Sequence, residues 1–339
     1  MTVVVTGASG HVGANLVRIL LARGERVRAL VHRDRRALER LDVEVVHGDI
    51  CDPGLLLPAF RGADVVYHTA AHVSISMSEW GLLEAVNICG VRNVADACLR
   101  CGVGRLVHFS SIEAFFDEPP GAVIDETHPR AGGPGNLPYA RSKAAGEQAV
   151  RDGIARGLDA VIVNPTAIIG PHDYRGGPMS EALLRLANGA LPFLVEGGFN
   201  WVDVRDVCEG AIRAAEAAPP AAQYILGGHW ISLRGLAALL EKITGAPAPR
   251  WTVPMGLARL GAPFITAYSH VTGQRALYTR ASLRPLRGYR RVSHALATRE
   301  LGYRPRPFPE TMADTVCWLE EGGYLPRARA RPSPSASYS

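Results

Sequence analysis

Tyr139 and Lys143 stand four residues apart in the stretch YARSK. On a helix, residues i and i+4 share a face, so a phenol and an ammonium at this spacing can reach one point. That pairing has a chemical meaning. A free tyrosine, with a pKa near ~10, is a poor acid or base at neutral pH. A nearby ammonium favours phenolate and lowers that value. Such a tyrosine can give or take the proton of a carbonyl/alcohol pair. Only two of the 37 basic side chains are lysine, Lys143 and Lys242. Keeping a compact ammonium at 143, where the chain otherwise writes arginine, points to a demand of shape or reach. Upstream, FSSIEA puts Ser110 and Ser111 at the end of a strand, where a hydroxyl can hydrogen-bond a substrate oxygen. Asn87, in NICGVRN, is a mediocre helix former and fits a polar role facing the same pocket. Each has a plainer reading alone: serines that end a strand, an exposed helical asparagine, a solvated lysine beside a surface tyrosine.

A second set of residues suits anion binding. The stretch VVVTGASGHVG places Gly7, Gly10 and Gly13 between a valine-rich strand and a helical pattern carried by Leu16, Val17, Leu20 and Leu21. Glycines leading into a helix N-terminus expose backbone N–H groups, and the helix dipole favours negative charge there. In HGDI, Asp49 ends another strand, where its carboxylate can accept from an adenine amine; a turn aspartate is the plainer reading.

The elements that must position these residues alternate. Strands are expected at 26–32, 43–50, 63–71, 105–112 and 159–170. Helices are expected near Pro58, over 80–100 and over 139–156. This alternation predicts an α/β fold, a doubly wound parallel sheet with helices on both faces, and ligands beyond the carboxyl ends of its strands. A strand and helix at 200–218 and a strand at 223–228 follow, then helices separated by Pro-rich turns over 231–325. We expect a dinucleotide-binding domain at 1–170, with 199–228 returning to it. A smaller, mostly helical substrate lobe is expected at 171–198 and 229–325, and a disordered tail at 326–339.

Composition narrows the function classes. Hydrophobic residues make up 47% and charged residues 20% of 339, enough for a sizeable core. The formal charge of +5 is mild and partly due to arginines in the tail, and no basic stripe with interleaved aromatics suggests nucleic acid. Six scattered cysteines suit a reducing compartment, and Cys98 and Cys101 lack the second ligand pair that a zinc site needs, so no metal is expected. No secretory leader and no run of about eighteen apolar residues is evident, so a cytoplasmic protein without a membrane span is expected.

Taken together, T-G-x-x-G-x-x-G at 6–13, G-D at 48–49, HTAA at 68–71, N-x-x-G-V at 87–91, S-S at 110–111 and Y-x-x-x-K at 139–143 resemble one family. It is the extended short-chain dehydrogenases/reductases, or NAD-dependent epimerases/dehydratases, and the resemblance runs from Met1 to about Leu325. NPTAIIGP and RALVHRD resemble its dihydroflavonol and cinnamoyl-CoA reductase branch. VDVRDVCEGAIRAAE, YILGG and RELGYRPRP resemble hopanoid-associated sugar epimerases. The resemblance implies a Rossmann-type fold and roles for matching residues. Gly7, Ser9, Gly10, His11, Val12 and Gly13 would hold the pyrophosphate. Asp49 and Ile50 would flank the adenine, and Thr69, Ala70 and Ala71 the ribose side. Pro165 and Ile168 would meet the carboxamide. Tyr139 would be the acid/base, with Lys143 holding the nicotinamide ribose and lowering the tyrosine pKa. Ser111 would orient the reacting oxygen beside Ser110, and Asn87 would support the site.

The end of the second strand bears on the cofactor. An acidic side chain there accepts from the 2′-hydroxyl of NAD and repels the 2′-phosphate of NADP. That slot holds Val31, followed by His32 and Arg33, and Arg33 can pair with a phosphate. NADP is therefore expected, with Asp34 keeping NAD open. The family's sugar epimerases carry Arg-Asp-Phe or Arg-Asp-Tyr to grip a substrate diphosphate, whereas this chain has Phe199-Asn200-Trp201. An apolar carbonyl or secondary alcohol suits that stretch better. The expected function is an NADP-preferring oxidoreductase acting on a small molecule. The alternatives are a sugar epimerase/dehydratase with tightly bound NAD and a non-catalytic NADP sensor. The helices at 80–100 and 139–156 form a dimer interface in many relatives, so a homodimer is possible.

Overall fold

The computed structural model describes residues 1–74, 76–116, 121–262 and 280–326. Its first half builds one sheet. The strands are β1 (Thr2–Thr6), β2 (Arg26–Val31), β3 (Glu44–His47), β4 (Val65–His68) and β5 (Arg105–Phe109). After a two-residue β6 (Val123–Ile124), β7 (Ala160–Pro165) follows. With a later strand, Gln223–Leu226, they pair in the order β3-β2-β1-β4-β5-β7-(Gln223–Leu226). Every pairing is parallel. The runs VVVT, VVYH and AVIVNP are buried on both faces, as a sheet covered by helices requires.

Side chains alternate across the sheet and divide the core in two. Val3, Val5, Tyr67, Val107 and Val161 pack with α1 (His11–Ala22). Val4, Val66, Leu106 and Ile162 pack with α2 (Pro53–Phe60), α4 (Val91–Cys101) and α5 (Pro138–Ile154). The helix expected over 80–100 is interrupted. α3 (Trp80–Glu84) passes into a π-helical segment, Ala85–Gly90, before α4. A π-bulge accommodates a local packing demand, and here α5 crosses very closely. A Cβ added at Gly146 would lie 2.4 Å from the Asn87 carbonyl oxygen.

The strand expected over 159–170 also divides. Pro165 has no N–H to continue a ladder, and β8 (Ala167–Ile169) leaves for a second sheet. There it lies parallel to β10 (Gly198–Asp203), which pairs antiparallel with His229–Ser232. Between β8 and β10 come α6 (Pro178–Ala187) and β9 (Leu194–Val195). α7 (Val204–Ala217) follows β10 and packs its Val207, Ala211 and Ile212 into the core beside α1. Helices Leu233–Thr244 and Phe308–Glu321 close a separate core around Leu183, Trp201, Leu236 and Met312. The lobe is thus helical with short strands at its base. The tail expected to be disordered lies outside the described residues from 327 onward.

Candidate active site

The strand order reverses between β1 and β4, so the loops after these strands diverge and leave a crevice at their carboxyl ends. The glycine turn fills its floor. Gly7 has φ +68°, and a Cβ there would meet the Ala70 nitrogen at 2.6 Å; one on Gly13 would lie 2.2 Å from the Gly7 carbonyl oxygen. Ala70 is therefore packed against the turn, next to the Thr69 backbone. α1 starts at Gly10 with no side-chain cap and no acidic residue in its first turn. Its leading N–H groups thus have no carboxylate partner from their own helix, the arrangement an anionic pyrophosphate fits. The residues present therefore suit a dinucleotide, which the turn from Gly7 to Gly13 would hold.

Nearby residues tie this turn to the rest. His11 Nε2 lies 3.1 Å from the Pro171 carbonyl oxygen, and Asn15 Nδ2 donates to the same oxygen at 2.9 Å. Asn15 was not singled out in the sequence, although a buried polar residue on an apolar helix face is its signal. Thr69 Oγ1 donates to the Thr6 carbonyl at 2.7 Å. Asp49 accepts from the Cys51 nitrogen at 2.9 Å and faces His32, 3.4 Å away. Ile50 is buried in the core beneath α4 rather than exposed in the crevice.

The candidate catalytic set converges one strand further on. Ser110 and Ser111 follow β5, and Ser111 caps the short turn Ile112–Ala114 by accepting from the Glu113 nitrogen at 3.2 Å. Tyr139 stands in the first turn of α5 and Lys143 one turn later. A cavity of about 290 Å³ is lined by Ser110, Ser111, Glu113, Tyr139, Pro165 and Ile168 among others, with Met179, Phe199, Asn200 and Tyr289 from the lobe side. Trp201, expected with Phe199 to meet substrate, is instead 1% exposed and packs into the lobe core behind Phe199, ring centroids 5.2 Å apart.

Two expectations change at the level of side chains. Asn87 does not line the cavity. Its amide donates to the His72 carbonyl at 2.9 Å and to Ser142 Oγ at 3.0 Å, and its oxygen accepts from the His72 nitrogen at 2.9 Å. It clamps the chain after β4 to the helix of Tyr139. The Lys143 ammonium donates to the Phe109 carbonyl at 2.8 Å. Burial pulls Lys143 down to about 8, against the opposing pull of Glu147. The Tyr139 phenol is pushed up rather than down: burial dominates, the Glu113 carboxylate adds to it, and the Ser111 hydroxyl works the other way. The side chain is therefore a phenol at neutral pH, the form that donates a proton. Glu113, absent from the sequence-level reading, is a carboxylate that acts on Tyr139; its signal was its place two residues after Ser111.

The match to known proteins agrees with this geometry. Residues 3–227 match the model of the NAD dependent epimerase/dehydratase family. The chain is 38% identical to sterol demethylase protein B of Methylococcus capsulatus, over 96% of this chain and 100% of that one. It is 35% identical to a putative dihydroflavonol 4-reductase of Synechocystis sp., over 95% of each. Among solved structures, dTDP-glucose 4,6-dehydratase from Streptomyces venezuelae, with NAD and TYD bound, superposes with a TM-score of 0.77 at 26% identity, covering 96% of this chain and 99% of that one. The chain belongs to the NAD dependent epimerase/dehydratase family and is an NAD(P)-dependent oxidoreductase.

Proposed function

We propose that the protein is an NADPH-preferring reductase/dehydrogenase of a small, largely apolar carbonyl or secondary alcohol. The observation that carries this reading is the cavity that Ser111 and Tyr139 line together with the apolar Phe199, Met179 and Ile168. A bound nicotinamide supplies or accepts the hydride. The chain's own residues do the rest. Ser111 Oγ holds the reacting oxygen. The Tyr139 phenol donates its proton to that oxygen on reduction and recovers one afterwards. The Lys143 ammonium supplies positive charge beside this pair and would hold the ribose hydroxyls of the bound cofactor. Apolar walls exclude water, which strengthens each of these interactions.

The preference for NADP rests on the chain after β2. Asp34, the first carboxylate after β2 in the chain, is engaged by Arg36 through Nε at 3.0 and 3.1 Å and Nη2 at 2.7 Å. That contact lowers it to about 2, so it stays charged and paired. Arg33 and Arg35 are exposed beside it, a setting that suits a 2′-phosphate better than a ribose hydroxyl seeking an acceptor.

A second reading, turnover of a nucleotide sugar, is favoured by a separate feature. A larger cavity, about 640 Å³, shares Gly288 and Tyr289 with the catalytic one and is lined by Arg259, Arg284, Arg287 and Arg290. Arginines around a cavity suit a diphosphate. The two readings separate in one assay. Purified protein is offered apolar ketones and aldehydes with NADPH and, in parallel, nucleotide sugars with NAD. Consumption of NADPH by the ketones supports the first reading. Conversion of a nucleotide sugar without net cofactor consumption replaces it with the second.

A further inference from the structure

Glu147 has no part in the chemistry above, yet it is fully buried, one helical turn beyond Lys143 and two beyond Tyr139. A carboxylate in a protein interior is costly unless paired and hydrogen-bonded. This one is saturated. Oε1 accepts from Asn164 Nδ2 at 2.6 Å. Oε2 accepts from Arg130 Nε at 2.9 Å, Arg151 Nη2 at 3.1 Å and Gln223 Nε2 at 3.2 Å. Asn164, also fully buried, spends its other amide hydrogen on the Ser111 carbonyl at 2.9 Å, while its oxygen accepts from Gln223 at 2.7 Å. A continuous chain of bonds therefore runs from the helix of Tyr139 and Lys143, through Glu147 and Asn164 on β7, to the turn that carries Ser111.

We propose that Glu147 is a positioning residue: as the buried anion one helical turn from Lys143 it offsets that ammonium's charge in a dry interior, and through Asn164 it fixes the Ser111 turn against the helix of Tyr139 and Lys143. The groups around this pair leave it no substitute. Tyr139 and Arg151 lie on the same helix, Arg130 comes from the loop before it, His108 from β5 and His68 from β4. Burial keeps both histidines neutral, and the Lys143 charge reinforces this. Among these groups Glu147 is the anion.

The role in proton transfer rests on the reductase reading, so the primary test does not use turnover. The chain has two lysines, Lys143 and the exposed Lys242. Protein labelled with 13C at lysine Cε gives two titrating signals, and Lys242→Arg identifies which is which. In Glu147→Gln the Lys143 midpoint falls by about one pH unit relative to wild type. In Arg151→Gln, a change at a partly exposed site, it rises, because one competing cation is gone. An unchanged midpoint in both variants overturns the proposal; should Glu147→Gln not fold, an unchanged Arg151→Gln midpoint does so alone. Glu147→Asp then separates charge from reach. It retains the midpoint but withdraws from Asn164, so kcat falls at least tenfold with cofactor affinity within a few-fold, and wild-type kcat would overturn the positioning half. Midpoints that move as expected in a protein without reductase activity support the counter-charge and refute the reductase reading instead.

Discussion

Lys143 carries its charge where water is excluded, and this has a measurable cost. Its folded pKa, about 8, lies below the ordinary lysine value of 10.5. Between those values the unfolded chain binds more protons than the folded one, so stability rises with pH across that window. The penalty is complete below about pH 8 and is relieved by about pH 10.5. Lys143→Met lacks this term. Urea unfolding of both proteins at pH 7.5 and pH 10 should show wild type gaining about 2 kcal/mol more than the variant over that interval. An equal gain would mean that the ammonium is solvated after all. Arg33 offers a test of cofactor choice at the same scale. Arg33→Asp exchanges a phosphate partner for a ribose acceptor, and titrations with both cofactors should show affinity moving from NADP towards NAD by tenfold or more. Indifference of wild type and variant alike would remove Arg33 from recognition.

Among the elements, the glycine turn and α5 decide whether a site exists. Gly13→Ala should abolish dinucleotide binding while the protein still folds, because its methyl would sit 2.2 Å from the Gly7 carbonyl oxygen and force the turn open. Calorimetric titration checks this; retained affinity would contradict the cradle. The sequence carried these elements well because their signals are local. Valine runs mark strands buried on both faces, glycines mark positions that exclude a side chain, and a four-residue spacing aligns Tyr139 with Lys143. The π-helical segment at Ala85–Gly90 was invisible because it arises from the approach of α5, distant in sequence. The same holds for Asn87, whose partners His72 and Ser142 lie 15 and 55 residues away. Trp201 was misread because strand alternation does not say which face of a small sheet meets substrate and which meets the lobe core. The phenol shift of Tyr139 also depends on burial and on Glu113, neither of which spacing reveals.

At the scale of the whole molecule, the two halves divide the work. The carboxyl ends of the parallel sheet and the start of α5 bring Ser111 and Tyr139 to one cavity, which Phe199, Met179 and Tyr289 also line. Among the described residues no helix is long and apolar enough to cross a membrane. In the proposed reading, substrate choice belongs to the lobe, and hydride and proton transfer to the residues at the carboxyl ends of the sheet. The most direct test of the account follows reduced nicotinamide during turnover of an apolar ketone by wild type and Tyr139→Phe. The account predicts steady NADPH consumption by wild type, slower use of NADH, and a rate lowered by ~10²–10⁴-fold in the variant, the ordinary cost of losing a positioned acid/base, with NADPH affinity within a few-fold of wild type. Near-normal turnover by Tyr139→Phe would contradict it.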